Sequence, residues 1–162
     1  MSTATKPERR KLTFATLDDV VRDAENLLAK GYDRAGNWDL AQVCFHLAEW
    51  LRYPLDGFPK PPLLMRPLFW VARHTIAGAA LRKALDKGEL PPGSPTLKPS
   101  VAPPGGDAAA MVAKLKEVAE RFAANTGPIH PSPLFGAMTK DEALKLQLVH
   151  CAHHLSFLVP TA

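Results

Sequence analysis

Residues 139–159 read TKDEALKLQLVHCAHHLSFLV and begin with a helix-capping signature. Thr139 is followed three residues later by Glu142, a pattern in which each side chain bonds to the backbone N–H of the other residue. Pro160 supplies a stop, because proline cannot continue a helix. The stretch therefore predicts a helix that begins after Thr139 and runs to about Val159.

Three further helices are predicted upstream, where apolar residues recur at helical spacing. The first spans 16–31, and the second opens with Asn37 as its N-cap and ends within 54–57. The third covers Ala108–Ala124 and is capped by Asp107. No strand and no internal repeat is recognised. The pattern predicts an all-α fold, a four-helix bundle whose connections differ from the simple up-down type.

A proline-rich insertion, residues 54–106, separates the second and third of these helices and holds eleven of the sixteen prolines. It contains one extra predicted helix from Leu63 to Ala84, with Pro67 tolerated in the first turn. Arginines and a histidine interrupt its apolar residues, which is too much charge for a membrane span. We expect this helix to lie against the bundle, and the run 91–106 to form an extended loop.

Composition favours one cytoplasmic domain. The 162 residues are 46% hydrophobic, enough for a single core, and the formal charge of +4 is too thinly spread to indicate nucleic-acid binding. Residues 1–15 lack the apolar run of a secretion signal, so they are predicted to be a disordered extension of a domain over 16–162. Cys44 and Cys151 fall within apolar helical patterns and are predicted to be buried, reduced thiols.

Histidines on the last predicted helix form a candidate metal site. His150 and His154 are four residues apart, so their imidazoles lie over one another and reach a common point, as when a helix offers two nitrogens to zinc. His153 points about 100° away from His154 around the helix. His46 lies at the edge of the apolar stripe of the second helix and is the best third ligand. Three ligands would leave one coordination position open for water or substrate.

Two neighbours of these histidines are candidates for a catalytic role. Gln147 precedes His150 by three residues and could orient a ligand or a metal-bound water. Glu49, three residues after His46, is the nearest carboxylate that could act as a base or replace a ligand. The alternative is that the histidines are ordinary core residues, because the H-x-x-x-H spacing lacks the glutamate of the H-E-x-x-H motif.

Three segments of the chain resemble the DinB/YfiT-like superfamily, most closely a branch of unknown function. They are NWDLAQVCFHLA at 37–48, HPSPLFGAMT at 130–139 and HCAHHL at 150–155. The proline-rich insertion cannot be aligned with the better-understood members, so substrate identity does not carry over. The loop over 130–136 is expected to close the entrance of the site or to pack the end of the bundle.

The resemblance implies a four-helix bundle in which three histidines hold a divalent metal, at positions that correspond to His46, His150 and His154. Members of the superfamily include transferases that use a low-molecular-weight thiol and a maleylpyruvate isomerase of related fold. The resemblance therefore implies a small-molecule substrate and a thiol as co-substrate. Imidazole ligands suit several metals, and we expect zinc or nickel.

Three functional hypotheses follow. The first is a metal-dependent transferase or hydrolase that acts on a small molecule. The second is a non-catalytic module that uses the 54–106 insertion to engage a ligand, a partner or a membrane surface, since Leu68–Val71 is apolar and aromatic and the insertion is biased toward arginine and lysine. The third is a structural role as a homodimer. Nucleic acid is not expected as a partner, and membrane binding is expected less than packing on the bundle.

Overall fold

The computed structural model describes residues 6–90 and 96–161, and this part of the chain is mostly helical. Two one-turn 3-10 helices, at Leu63–Met65 and Lys98–Ser100, accompany the regular elements. Those elements are, in chain order, α1 Leu17–Lys30, β1 Tyr32–Arg34, α2 Leu40–Asp56, α3 Arg66–Thr75, α4 Ala77–Lys87, α5 Ala108–Ala124, α6 Lys140–Leu155 and β2 Leu158–Pro160.

Polar caps fix where the long helices begin. Thr16, Asp107 and Thr139 each accept a hydrogen bond from a backbone N–H of the first turn. The caps at Asp107 and Thr139 are as predicted. The N-cap of α2 is Asp39 and not the predicted Asn37. Asp39 accepts from the Gln42 backbone N–H at 2.8 Å, and the Gln42 side-chain oxygen accepts from the Asp39 N–H at 3.1 Å. This reciprocal pair starts α2 two residues later than expected.

The hydrophobic core lies among α1, α2, α5 and α6, which pack against one another. Fully burying one large apolar side chain contributes roughly 1.5–3 kcal/mol, so these four helices hold the fold together. Large side chains at the centre include Val20, Leu27, Leu47, Leu115, Phe122 and Leu155.

The last helix ends earlier than predicted, at Leu155, and the chain then forms a strand. In β2, Leu158 pairs with Arg34 and Pro160 with Tyr32, antiparallel to β1. The prediction of no strand was therefore wrong, as was the helix end at Val159. The Ser156 hydroxyl donates to the His153 carbonyl at 2.6 Å and helps to end the helix.

Residues 6–15 form no helix or strand, but they pack on the helices. The Arg10 guanidinium donates to the Leu155 carbonyl at 2.9 Å and pairs with Asp23 of α1 at 2.8 Å. The Arg9 side chain donates to the hydroxyl of Ser156. Cations at this end of α6 satisfy free carbonyls and oppose the negative end of the helix dipole. The predicted disordered extension, residues 1–15, thus includes side chains with defined contacts within 6–15, while residues 1–5 lie outside the described part.

The helix predicted from Leu63 to Ala84 is two helices, α3 and α4, that meet at Ile76. The hydroxyl of Thr75 donates to the Val71 carbonyl at 2.7 Å, and such back-bonding bends helices. Helix α4 packs against α6, whereas no residue of α3 is buried. The expected extended loop contains the 3-10 turn at Lys98–Ser100, and residues 91–95 of that loop are outside the described part.

Both cysteines are buried and free, as predicted. Burial raises the pKa of the Cys44 thiol to about 12 and that of Cys151 higher still, so neither is a thiolate at neutral pH. Within residues 6–90 and 96–161, no helix has both the length and the apolar character needed to span a bilayer.

Candidate metal centre

Helices α2 and α6 bring three histidines together at their contact. His46 lies on α2, and His150 and His154 lie on α6, and one ring nitrogen from each falls within 4.8 Å of the other two. His46 is 1% exposed, whereas His150 and His154 are only partly buried. The group is thus closed on the core side and open on the other.

A proline helps to hold the two helices in this position. Pro54 lies inside α2 and has no N–H, so the carbonyl of Trp50, four residues earlier, loses its helical partner. The Gln147 side-chain amide of α6 donates to that carbonyl at 3.0 Å. This bond connects α6 to α2 one turn from His150, and it therefore fixes the spacing between the histidines.

The closest ligand atoms have the separation that a metal site requires. Nε2 of His46 and Nε2 of His150 are 3.1 Å apart. In a tetrahedral site with bonds of about 2.0–2.1 Å to zinc, neighbouring nitrogens lie about 3.3 Å apart. At this distance, two imidazole nitrogens either share a proton or share a cation. Three neutral imidazoles fit a divalent ion of the zinc or nickel type.

Ser100 fixes the orientation of the His46 ring. Nδ1 of His46 lies 3.1 Å from both the carbonyl oxygen and the hydroxyl oxygen of Ser100. That hydroxyl already donates to the Leu97 carbonyl at 2.7 Å, so both Ser100 oxygens act as acceptors toward the ring. Nδ1 of His46 therefore carries the proton, and the lone pair of Nε2 points toward His150. A carbonyl behind the ring is the usual outer partner of a metal-bound histidine.

Two tryptophans form the walls of the group. The Trp38 ring stacks on His154 with centroids 5.3 Å apart and an interplanar angle of 9°. The Trp50 ring meets His150 edge to face, with centroids at 5.4 Å. These rings replace water around the imidazoles and leave them in a largely apolar environment.

This environment keeps the three imidazoles neutral. Burial lowers the pKa of His46 to about 4, although the Ser100 carbonyl opposes the shift. Burial likewise lowers the pKa of His154 to about 2, with His46 adding to the effect, and it lowers the pKa of His150 well below the ordinary value. Neutral imidazole is the form that binds metals, so the group is ready to accept a cation at neutral pH.

Glu49 does not join the histidines. Its carboxylate is bound by Arg52 at 2.6 Å and by Lys114 of α5 at 2.8 Å. The desolvation of this carboxylate is outweighed by its two cationic partners, which lower its pKa. The geometry indicates that Glu49 connects α2 to α5, and it does not place the carboxylate among the ligand atoms.

Gln147 lies near the three histidines, and only the nitrogen of its side-chain amide has a hydrogen-bond partner among the described residues. Its nitrogen holds the Trp50 carbonyl, and its oxygen is buried with no partner among the described residues. The indole nitrogen of Trp50 and the hydroxyl of Tyr53 are also buried without described partners. Unpaired buried polar groups usually bind water or a ligand. The polar atoms of Gln147, Trp50 and Tyr53 are therefore available to form such hydrogen bonds.

The remaining predicted features lie outside the ligand group. Nδ1 of His153 lies 3.1 Å from the Arg9 guanidinium and outside the ligand group, although the His153 ring meets that of His154 edge to face with centroids 4.9 Å apart. In the loop over 130–136, the His130 backbone N–H donates to the Pro54 carbonyl at 2.8 Å. This loop therefore covers the C-terminal end of α2, in agreement with a packing role.

Sequence reasoning missed Ser100 and the stacking role of Trp38. Ser100 is 54 residues from His46 and lies in the proline-rich insertion, where nothing in the local pattern marks it. Trp38 directly follows the predicted N-cap Asn37, a position that indicates only the first turn of a helix. An aromatic residue eight positions before a candidate histidine ligand is too common to indicate a wall of the site.

A family model described as "Protein of unknown function (DUF1569)" matches residues 6–161, nearly the whole chain. The chain belongs to this family. No curated protein and no solved structure matches it significantly. A family of unknown function was expected, but the match does not connect the chain with the DinB/YfiT-like superfamily, and its description assigns no activity or metal.

Proposed function

We propose that this DUF1569 protein binds a divalent metal, zinc or nickel, through His46, His150 and His154. The single observation that carries the proposal is the convergence of three neutral imidazole nitrogens within 4.8 Å at the contact of two helices. Its main support is Ser100, because the acceptor pair behind His46 aims the lone pair of Nε2 into the group.

The proposed fold type is a four-helix bundle of the DinB/YfiT type, built from α1, α2, α5 and α6. Two features support it: these helices share one core, and the three histidines occupy the positions that the resemblance implies. In this account, residues 16–162 form one domain and the 54–106 segment is an insertion between its second and third helices.

The proposed activity is a transferase that uses a small thiol, or a hydrolase, acting on a small molecule in the cytoplasm. A metal with three neutral ligands keeps its +2 charge and lowers the pKa of a thiol or water beside it. The chain contributes the surroundings of that reaction. Trp38 and Trp50 shield the imidazoles from water, and Ser100 holds the proton of His46 at Nδ1.

The free polar groups beside His150 suit the positioning of a substrate. The Gln147 oxygen can accept a hydrogen bond, and the Trp50 indole nitrogen can donate one. In this account Gln147 positions the substrate, while Glu49 supports the α2–α5 contact and is not a base.

The experiment that tests the proposal is elemental analysis of protein purified without a histidine tag. We expect about one zinc or nickel per chain in the wild type, and loss of nearly all of it in His150→Ala. His153→Ala is the matched control, because it removes a histidine from the same helix outside the ligand group. Circular dichroism would verify that each variant is folded.

Equal metal content in the wild type and in folded His150→Ala would contradict the proposal. So would a wild-type protein that stays free of metal after incubation with zinc and with nickel. If only His153→Ala lost its metal, the metal would be bound at His153 and not by the group that contains His46.

A second candidate function, a binding module that uses the 54–106 insertion, is favoured by one observation: α3 has no buried residue. This role concerns another surface and is compatible with a metal site. A homodimer remains a third hypothesis, which light scattering over a range of concentrations tests.

A further inference from the structure

The segment 63–76 exposes most of the large apolar surface of this protein. Among the described residues, nine large apolar side chains are exposed, and seven of them lie between Leu63 and Ile76. Leu64 is 95% exposed and Trp70 is 62% exposed. Monomeric proteins rarely expose so many neighbouring large apolar side chains without a binding role.

The same region also carries the positive charge of the chain. Residues 60–87 contain six of the twenty lysines and arginines and only one of the sixteen aspartates and glutamates, so their formal charge is +5. The whole chain has a formal charge of +4, which leaves −1 for everything else. All six cations are exposed, and they are Lys60, Arg66, Arg73, Arg82, Lys83 and Lys87.

Contacts with the rest of the protein hold this region in place. Helix α4 packs against α6 and buries Ala84, which is 5% exposed. The side chain of Arg73 lies against Gly136 of the loop before α6. In α3, Phe69 and Ala72 are partly buried, whereas Leu68 and Val71 are exposed. The inner side of α3 is thus partly covered, and its outer side remains apolar and unpaired.

For α3, this arrangement departs from the expectation that the inserted helix packs its apolar side on the bundle, whereas α4 does pack there. Leu68 and Val71 are three residues apart and share a face of α3. Leu63 and Leu64 extend the apolar surface at the start of the helix, and Trp70 supplies an aromatic ring. We name residues 60–87 the basic–apolar segment.

We propose that the basic–apolar segment docks on the surface of an anionic lipid bilayer. Leucine and tryptophan side chains partition to the boundary of headgroups and acyl chains, and lysine and arginine beside them are attracted to anionic headgroups. The six exposed cations therefore add an electrostatic attraction to the apolar contribution. An acidic protein would complement the charge, but it would not require seven exposed large apolar side chains in the same segment.

Vesicle co-sedimentation tests this proposal with the full chain. Vesicles of phosphatidylcholine alone are compared with vesicles that contain about 30% phosphatidylglycerol, each in about 50 mM and about 500 mM salt. We expect binding to the anionic vesicles at low salt, at least tenfold weaker binding at high salt, and little binding to phosphatidylcholine alone. The salt dependence follows from screening of exposed charges.

Two leucine variants test whether vesicle binding depends on the basic–apolar segment or on any exposed leucine. Leu64→Ser combined with Leu68→Ser should weaken binding at least tenfold, while Leu28→Ser, at the 40% exposed leucine of α1, should leave it unchanged. Because all three leucines are exposed, these variants should fold like the wild type. His150→Ala should bind vesicles normally, which separates this proposal from that of the metal site.

Three outcomes would overturn the proposal. The first is absence of binding to anionic vesicles at low salt. The second is unchanged binding by the double leucine variant. The third is a dimer that the double leucine variant abolishes, together with vesicle binding by neither protein, because the occupant of the surface would then be a second copy of the chain.

Discussion

The α2–α6 contact and the basic–apolar segment use similar residue types in opposite ways. At the α2–α6 contact, two tryptophan rings lie against the three histidines, and Nδ1 of the buried His46 has two acceptors. In the basic–apolar segment, leucines and a tryptophan point outward among six cations. At the α2–α6 contact, aromatic rings keep water away from the three histidines. In the basic–apolar segment, the apolar side chains stay exposed and available to a binding surface.

The difference shows that composition alone does not locate function in this chain. Both regions read as apolar helices interrupted by basic residues. What separates them is the partner surface, because α6 is covered by α1 and α2 while the outer face of α3 is covered by nothing among the described residues.

The largest expected effect is on the free energy of unfolding, and it is measured with one leucine at the α2–α6 contact and one leucine of the basic–apolar segment. Leu47 is next to His46 and fully buried, so Leu47→Ala should lower the free energy of unfolding by about 2–5 kcal/mol. Leu64→Ala removes an exposed side chain and should change that free energy by about 0.5 kcal/mol or less. Urea unfolding of both variants measures the difference. Equal losses would mean that Leu64 is covered in solution.

The second effect is the pH dependence of stability in the metal-free protein. The unfolded chain protonates His46 near pH 6.5, but the folded chain does so only near pH 4. Stability is therefore complete above pH 6.5 and falls as the pH decreases toward 4, by on the order of 3 kcal/mol for this residue. The pKa values of His150 and His154 are lowered in the same direction.

Urea unfolding between pH 7.5 and 4.5 measures this dependence. His46→Gln should make the pH profile less steep, while His74→Gln, at an exposed histidine of α3, should leave it unchanged. A wild-type protein with constant stability over this range would show that the three imidazoles are accessible to protons in the folded state.

The third effect concerns the residue that orients His46. Ser100→Ala removes the hydroxyl acceptor but keeps the carbonyl acceptor, so metal affinity should fall about tenfold, the lower end for outer partners of a ligand. Competition with a chelator of known affinity measures it. Unchanged affinity would mean that the carbonyl alone orients the ring.

The smallest effect is at the start of α6, which carries two of the ligands. Thr139→Ala removes the cap that accepts from the Glu142 backbone N–H, and it should lower the free energy of unfolding by about 1 kcal/mol. Metal content should stay at the wild-type level, because His150 and His154 lie about three and four turns further along α6. A fall in metal content would show that fraying reaches the site.

Local signals predicted the parts of this structure that local contacts determine. The capping residues Thr139 and Asp107 gave the starts of α6 and α5 correctly. The four-residue spacing of His150 and His154 correctly placed them together, because helical geometry alone fixes it. The pairing with His46 was predicted from its place on the apolar stripe of α2.

Features that depend on distant contacts could not be predicted in this way. Strands β1 and β2 are three residues each and pair across more than a hundred residues, so neither shows a usable alternation of its own. The role of Ser100 and the end of α6 beside Arg10 depend on segments that meet only in the folded chain. The exposure of α3 was missed because periodicity identifies an apolar face but does not show what covers it.

X-ray absorption spectroscopy of the metal-loaded protein tests the central claim most directly. The account predicts three imidazole nitrogens at about 2.0–2.1 Å from zinc and one further light ligand, with the imidazole scattering reduced in His154→Ala. A shell of oxygen ligands without imidazole scattering, in a folded and loaded wild-type protein, would contradict a centre built from His46, His150 and His154.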